Sequence, residues 1–228
     1  MVVFIRKRLL IIVGSVLAFF ALAAGGTALA TLLAPPPETV IVLDAGHGGI
    51  DTGVIGIESR VKESDLNLLV TQSVKKLLET QKIKVILTRE NERSLSPDGK
   101  RADMAKRKEI ILQAAPDLVV SIHCNKFPDH TRRGAQVFFN AHSERSISLS
   151  NFIQSSLNPL NAEQIGREFS ALKGDYYILS SHPYPSAIVE CGFLSNVEDD
   201  RLLNSPEYRE KLAFAIYTGI LSYVLNAA

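Results

Sequence analysis

Val40-Ile41-Val42-Leu43-Asp44-Ala45-Gly46-His47-Gly48-Gly49 (residues 40–49) is a short apolar run that breaks on a glycine cluster carrying a histidine. A run of this length bounded by glycines reads as a buried β-strand, with the histidine just past its C-terminal end. The same pattern recurs downstream. Val119-Val120-Ser121-Ile122-His123-Cys124-Asn125 carries a second histidine, and Ala187-Ile188-Val189-Glu190-Cys191-Gly192-Phe193 carries an acid. Between the first two lies Glu63, which opens Glu63-Ser64-Asp65-Leu66-Asn67-Leu68.

The rest of the chain alternates in the same way. Apolar positions at 66, 69, 70, 74, 77 and 78 recur with helical spacing, so 63–82 is read as a helix with Ser64 or Asp65 as its cap. Strand 83–88, helix 101–115 and strand 118–123 follow, then strand 135–139 and helix 143–157. Residues 158–174 read as a loop with a short helix. Short strands are expected at 176–179 and 187–190, and a closing helix at 206–225. Strands alternating with helices predict a single α/β domain, a mainly parallel sheet with helices on both faces.

The first 34 residues are different. Arg6, Lys7 and Arg8 precede Leu9 to Ala34, a stretch without a charged side chain. It is long enough to span a bilayer, and the flanking positive charge orients the remainder outside the cytoplasm. An uncleaved signal anchor (1–34) and a proline linker (35–38) are expected ahead of the domain at 39–228. Ala28-Leu29-Ala30 offers the alternative of a cleaved signal peptide and a secreted protein. The net charge is +1, and beyond the leader 22 basic residues face 24 acidic ones, no footprint for nucleic acid. Two cysteines, Cys124 and Cys191, are too few for a disulfide scaffold, although one bridge between them stays open. Alternation along a strand turns both away from the neighbouring His123 and Glu190.

Residues at the C-terminal ends of strands converge in an open α/β sheet. Two imidazoles and a carboxylate brought together there suit Zn²⁺ with a position left for water. His47, Glu63 and His123 are the candidate ligands, and Glu190 the candidate general acid/base. Asp44 is expected to hold a histidine ring N–H, and Asn125 to position a substrate carbonyl. His130, His142 and His182 are read as solvated loop residues. So is the basic face of Arg101–Lys108. Asp51-Thr52-Gly53 resembles an aspartic-protease triplet but lacks a preceding apolar strand and a second copy.

Together with Leu87-Thr88-Arg89, Gly134-Ala135-Gln136-Val137-Phe138-Phe139 and Val189 to Asn196, these motifs occur in an order that resembles the zinc-dependent N-acetylmuramoyl-L-alanine amidases of the amidase-3 type. The resemblance covers about residues 39–225. It implies a six-stranded mixed sheet, zinc on His47, Glu63 and His123, and Glu190 as acid/base. It implies cleavage of the amide joining N-acetylmuramic acid to L-alanine of the peptidoglycan stem. The layout is similar to the sporulation and germination members, which implies a role in forming muramic-δ-lactam in spore cortex. Two other readings stay open: a wall-binding module without catalysis, and a zinc peptidase acting within the stem. No wall-binding repeat is present, so targeting is left to the anchor or to an activating partner protein.

Overall fold

The computed structural model describes residues 38–227. The expected anchor and most of the linker lie outside the described residues. Among the described residues, no helix is long and apolar enough to cross a membrane.

The chain begins with β1 (Val40–Ala45), followed by α1 (Glu63–Glu79), β2 (Lys84–Leu87) and α2 (Lys100–Ala114). Then come β3 (Leu118–Asn125), β4 (Gln136–Phe139), α3 (Glu144–Ile165), β5 (Leu172–Lys173) and α4 (Tyr177–Ser180). β6 (Ser186–Phe193), α5 (Val197–Asn204) and α6 (Pro206–Ala227) complete it. The strands form one six-stranded sheet in the order β2-β1-β3-β6-β4-β5. β4 runs antiparallel to β6 and the other pairings are parallel, which makes the sheet mixed but mainly parallel, as expected.

Alternation sorts the central strands onto two faces. Ile41, Leu43, Val120, Ile122 and Val189 pack with Leu66 and Val70 of α1, Leu149 and Ile153 of α3, and Leu212 and Ile216 of α6. Val42, Val119 and Ile188 point the other way, against Ile111 of α2 and Ile178 and Leu179 of α4. Cys124 and Cys191 lie buried on the first face as free thiols, facing away from the histidines.

Several elements differ from expectation. Residues 177–180 form α4, not a strand; a four-residue apolar run carries no periodicity that separates the two. α3 does not stop at 157 but runs through Pro159 to Ile165. Leu157 and Asn161 are buried on its core face, and Asn161 Nδ2 donates to Ala135 O while its Oδ1 accepts from Ala135 N. Gly166 then ends the helix in the left-handed conformation. Neither Ser64 nor Asp65 caps α1. The helix starts at Glu63, and the backbone N–H groups of Glu63 and Ser64 donate to Val54 O and Thr52 O of the preceding loop.

Candidate metal centre

Building the site starts from the turn after β1. His47 has φ 63°, a left-handed conformation that costs a non-glycine residue of order 1 kcal/mol or more. Two buried guanidinium groups hold the turn in place. Arg107 Nη2 donates to His47 O (2.6 Å), and its Nη1 to Ala45 O (2.7 Å) and Asp44 Oδ1 (2.6 Å). Arg89 Nε donates to Ala45 O (2.9 Å), and its Nη2 to Gly46 O (3.0 Å) and Ser64 O (2.7 Å). Three consecutive carbonyls are thereby fixed by side chains from β2's end and from α2, which ties the loop to the sheet.

Asp44 takes part in this frame and not in the role expected of it. Its carboxylate accepts from Thr88 Oγ1, Ser121 Oγ and Arg107, and it holds no histidine ring. Burial raises its pKa, but the Arg107 charge and the two hydroxyls outweigh that and keep it well below the usual carboxylate range. Arg107 is likewise not a solvated residue: it is 1% exposed. With Met104 and Ile111 it shares one helical face, at spacings of three and four residues. Its place inside the apolar stripe was the signal that it points inward.

Glu63 lies between the two imidazoles. Its Oε1 is 3.2 Å from His47 Nε2 and 3.1 Å from His123 Nδ1, and also accepts from Cys124 N and Asn67 Nδ2. Its Oε2 accepts from Val54 N at 2.8 Å. The residue is 2% exposed. Burial opposes its ionisation, but the two imidazoles dominate and hold the carboxyl well below its ordinary pKa. For His47 burial again acts first, downward; Glu63 and Asp51 overcome it and raise the pKa. One donor atom from each of His47, Glu63 and His123 lies within 4.8 Å of the others. An anionic carboxylate and two imidazoles at this spacing are a donor set that fits a divalent ion of the zinc type, whose N and O ligands sit about 2.0–2.2 Å away.

Two glycines make this approach possible. A Cβ on Gly46 would fall 2.1 Å from the His123 ring, and one on Gly53 would fall 2.4 Å from Glu63 Oε2. Gly53 also has φ 64°, which an L side chain resists. Asp51, dismissed in sequence as part of a misleading triplet, stands beside the site: its Oδ1 is 2.9 Å from His47 Nδ1, although the alignment is not that of a hydrogen bond.

Glu190 faces His123 across the β3–β6 pair, in direct register. It is 8% exposed, and its Oε2 has no hydrogen-bond partner. Burial, reinforced by the Glu63 charge and opposed by the two histidines, pushes its pKa up to about 7. Asn125 lies two residues beyond His123 and lines an adjoining groove. His182 is buried against Tyr184, with ring centroids 5.8 Å apart, and is not the solvated residue expected; the turn around Pro183 and Pro185 folds it onto the sheet. His130 Nδ1 contacts Ser195 O at 2.6 Å.

A family model described as N-acetylmuramoyl-L-alanine amidase (Amidase_3) matches residues 41–222. The chain belongs to the N-acetylmuramoyl-L-alanine amidase family. A germination-specific N-acetylmuramoyl-L-alanine amidase of Bacillus subtilis is 35% identical over 191 residues, covering 81% of this chain and 79% of that protein. The amidase AmiA of Escherichia coli is 27% identical over 229 residues, covering 82% and 76%. The CwlD amidase of Clostridioides difficile, solved in complex with the GerS lipoprotein, superposes with a TM-score of 0.75 at 37% identity, covering 83% of this chain and 100% of that one. The amidase described here has the α/β domain and mixed sheet of that neighbour. It acts on peptidoglycan, and so outside the cytoplasm.

Proposed function

We propose that this amidase holds zinc on His47, Glu63 and His123 and uses Glu190 as its general acid/base. The amide cleaved is the one between the lactyl group of N-acetylmuramic acid and L-alanine of the stem peptide. The observation that carries the assignment is the Glu63 carboxylate, shared between two imidazoles, with a partnerless carboxyl in register beside one of them. Zinc, when bound, supplies a Lewis acid that polarises the amide carbonyl and makes a water acidic near neutral pH. Glu190 takes the proton of the attacking water and delivers it to the departing amide nitrogen. Burial raises the pKa of this carboxyl in the metal-free chain toward the range in which an acid both gives and accepts protons at neutral pH. Arg107 and Arg89 keep the His47 turn rigid, so the imidazole does not have to be ordered at each turnover.

The germination-specific relative and the CwlD neighbour support a role in spore cortex, with muramic-δ-lactam as the downstream product. The GerS complex of that neighbour supports an activating partner here. The apolar leader supports membrane anchoring before residue 38. Mass spectrometry of wall fragments treated with the zinc-loaded, full-length chain tests the bond cleaved. Intact stems released from muramic acid are expected. Shortened stems still joined to glycan would instead make the protein a peptidase.

A further inference from the structure

A groove of about 730 Å³ begins where the metal centre ends. Three of its lining residues belong to the strands that carry the chemistry. Asn125 is two residues past His123, Phe193 three past Glu190, and Gln136 is the β4 partner of Glu190 in register. The groove thus adjoins Glu190 through Gln136, within reach of one arm of a substrate whose scissile amide sits beside that carboxyl.

The lining has an unusual chemistry. Three guanidinium groups, Arg132, Arg133 and Arg167, border it, and no carboxylate does. Arg133 is committed, its Nε bonding Asp199 Oδ1 at 3.2 Å. The other two make no salt bridge among the described residues, although the Arg132 charge reaches the exposed Asp129. Each stacks instead over a phenylalanine of the same groove: Arg132 over Phe127 at 4.8 Å, Arg167 over Phe169 at 5.7 Å. Stacking fixes the plane of a guanidinium and leaves its N–H edges free, the form in which arginine takes a carboxylate in a two-pronged bond. The concentration is local, because the domain as a whole carries more acid than base.

The two arms of the substrate differ in charge. The glycan arm offers hydroxyls and acetamido groups, whereas the peptide arm carries free carboxylates within a few residues of the amide. We propose that this groove seats the stem peptide, with Arg132 and Arg167 pairing with its carboxylates. The proposal deepens the amidase reading and rests on it for the position of the scissile bond. It makes the enzyme selective for stems whose second residue, D-glutamate, keeps its α-carboxylate free over stems in which it is amidated.

The test is calorimetric titration of the full-length chain, in detergent, with L-Ala-γ-D-Glu-L-Lys, its isoglutamine counterpart and the neutral glycan chitotetraose. The acidic peptide is expected to bind about tenfold or more tightly than the amidated one, in line with a charge-assisted hydrogen bond. The double variant R132Q/R167Q should bring the two affinities together, and raising the salt should narrow the gap in the unaltered protein. Equal affinity for the two peptides in the unaltered chain would overturn the proposal. So would a double variant that loses chitotetraose and keeps the peptide preference, which would assign the groove to glycan. Binding is read without turnover, so failure of the amidase reading appears separately, as a zinc-loaded chain that binds the acidic peptide but leaves intact muropeptides uncut.

Discussion

β1, β3 and β6 present two faces built from alternate residues of the same strands, and the faces have opposite characters. Toward α1, α3 and α6 they turn Ile41, Leu43, Val120, Ile122, Val189 and Cys191, an apolar layer with every member buried. Toward α2 and α4 the same strands turn Val42, Asp44, Ser121, His123, Ile188 and Glu190, where buried polar groups interrupt the apolar ones. One face gains stability from burial alone. The other gives some of that up to keep an uncompensated carboxyl and a guanidinium–carboxylate frame in place, which is the usual cost of a reactive site. Period-two alternation lets one set of strands serve both purposes without mixing them.

The sharpest way to break this contrast is Glu190→Gln. Turnover should fall by about 10²–10⁴-fold, as loss of general acid–base catalysis does, with zinc content unchanged. Stability should move the other way. Burial raises the Glu190 pKa from 4.5 to about 7, so the folded, metal-free chain binds this proton more tightly than the unfolded chain. Stability from this group is therefore lost as pH rises between those values. At pH 8 the glutamine variant of the metal-free chain should be more stable by about 3 kcal/mol, read from urea or thermal unfolding. A variant that is equally active, or less stable at pH 8, would remove Glu190 from the role given to it.

Arg107→Met tests the frame on the same face. It leaves Asp44 buried and short of its counter-charge, which should cost about 3–5 kcal/mol by urea unfolding. A loss below about 1 kcal/mol would mean the frame contributes little. Ile216→Ala, on α6 behind the apolar face, should cost about 2–5 kcal/mol through lost burial and the cavity left behind. Zinc content and turnover per folded molecule should stay as they were, because α6 carries none of the site residues and the one helix of that layer that does, α1, brings Glu63 in at its first turn. A drop in turnover alone would show the two faces to be coupled.

This division also decides what could be seen in the sequence. His47, His123 and Glu190 were legible because each ends or interrupts an apolar run, where polar residues are conspicuous. Glu63 was legible as the first residue of an amphipathic helix. Asp44 and Ser121 sit inside apolar strands, and strand position says which face they share but not which partner they find; that depends on Arg107, 63 residues further on. Arg107 itself was hidden by the lysines around it, although its spacing from Met104 and Ile111 placed it on the inward face. Gly46 and Gly53 carried no sequence signal beyond loop flexibility, since the need for a missing Cβ arises only when distant side chains close on them. The strand expected at 176–179 failed because four apolar residues have no period, and α3 outran its expected end because tertiary contacts at Leu157 and Asn161 outweighed Pro159.

The most direct test of the central claim is the zinc content of the full-length chain beside that of His123→Ala, each dialysed against trace zinc and measured by atomic emission. His123 is only partly buried at the rim of the site, so its loss should leave circular dichroism and the unfolding midpoint close to those of the unaltered chain. One zinc per chain in the unaltered protein and essentially none in the variant is the predicted result. Equal zinc in both, or none in either, would contradict a centre built on His47, Glu63 and His123.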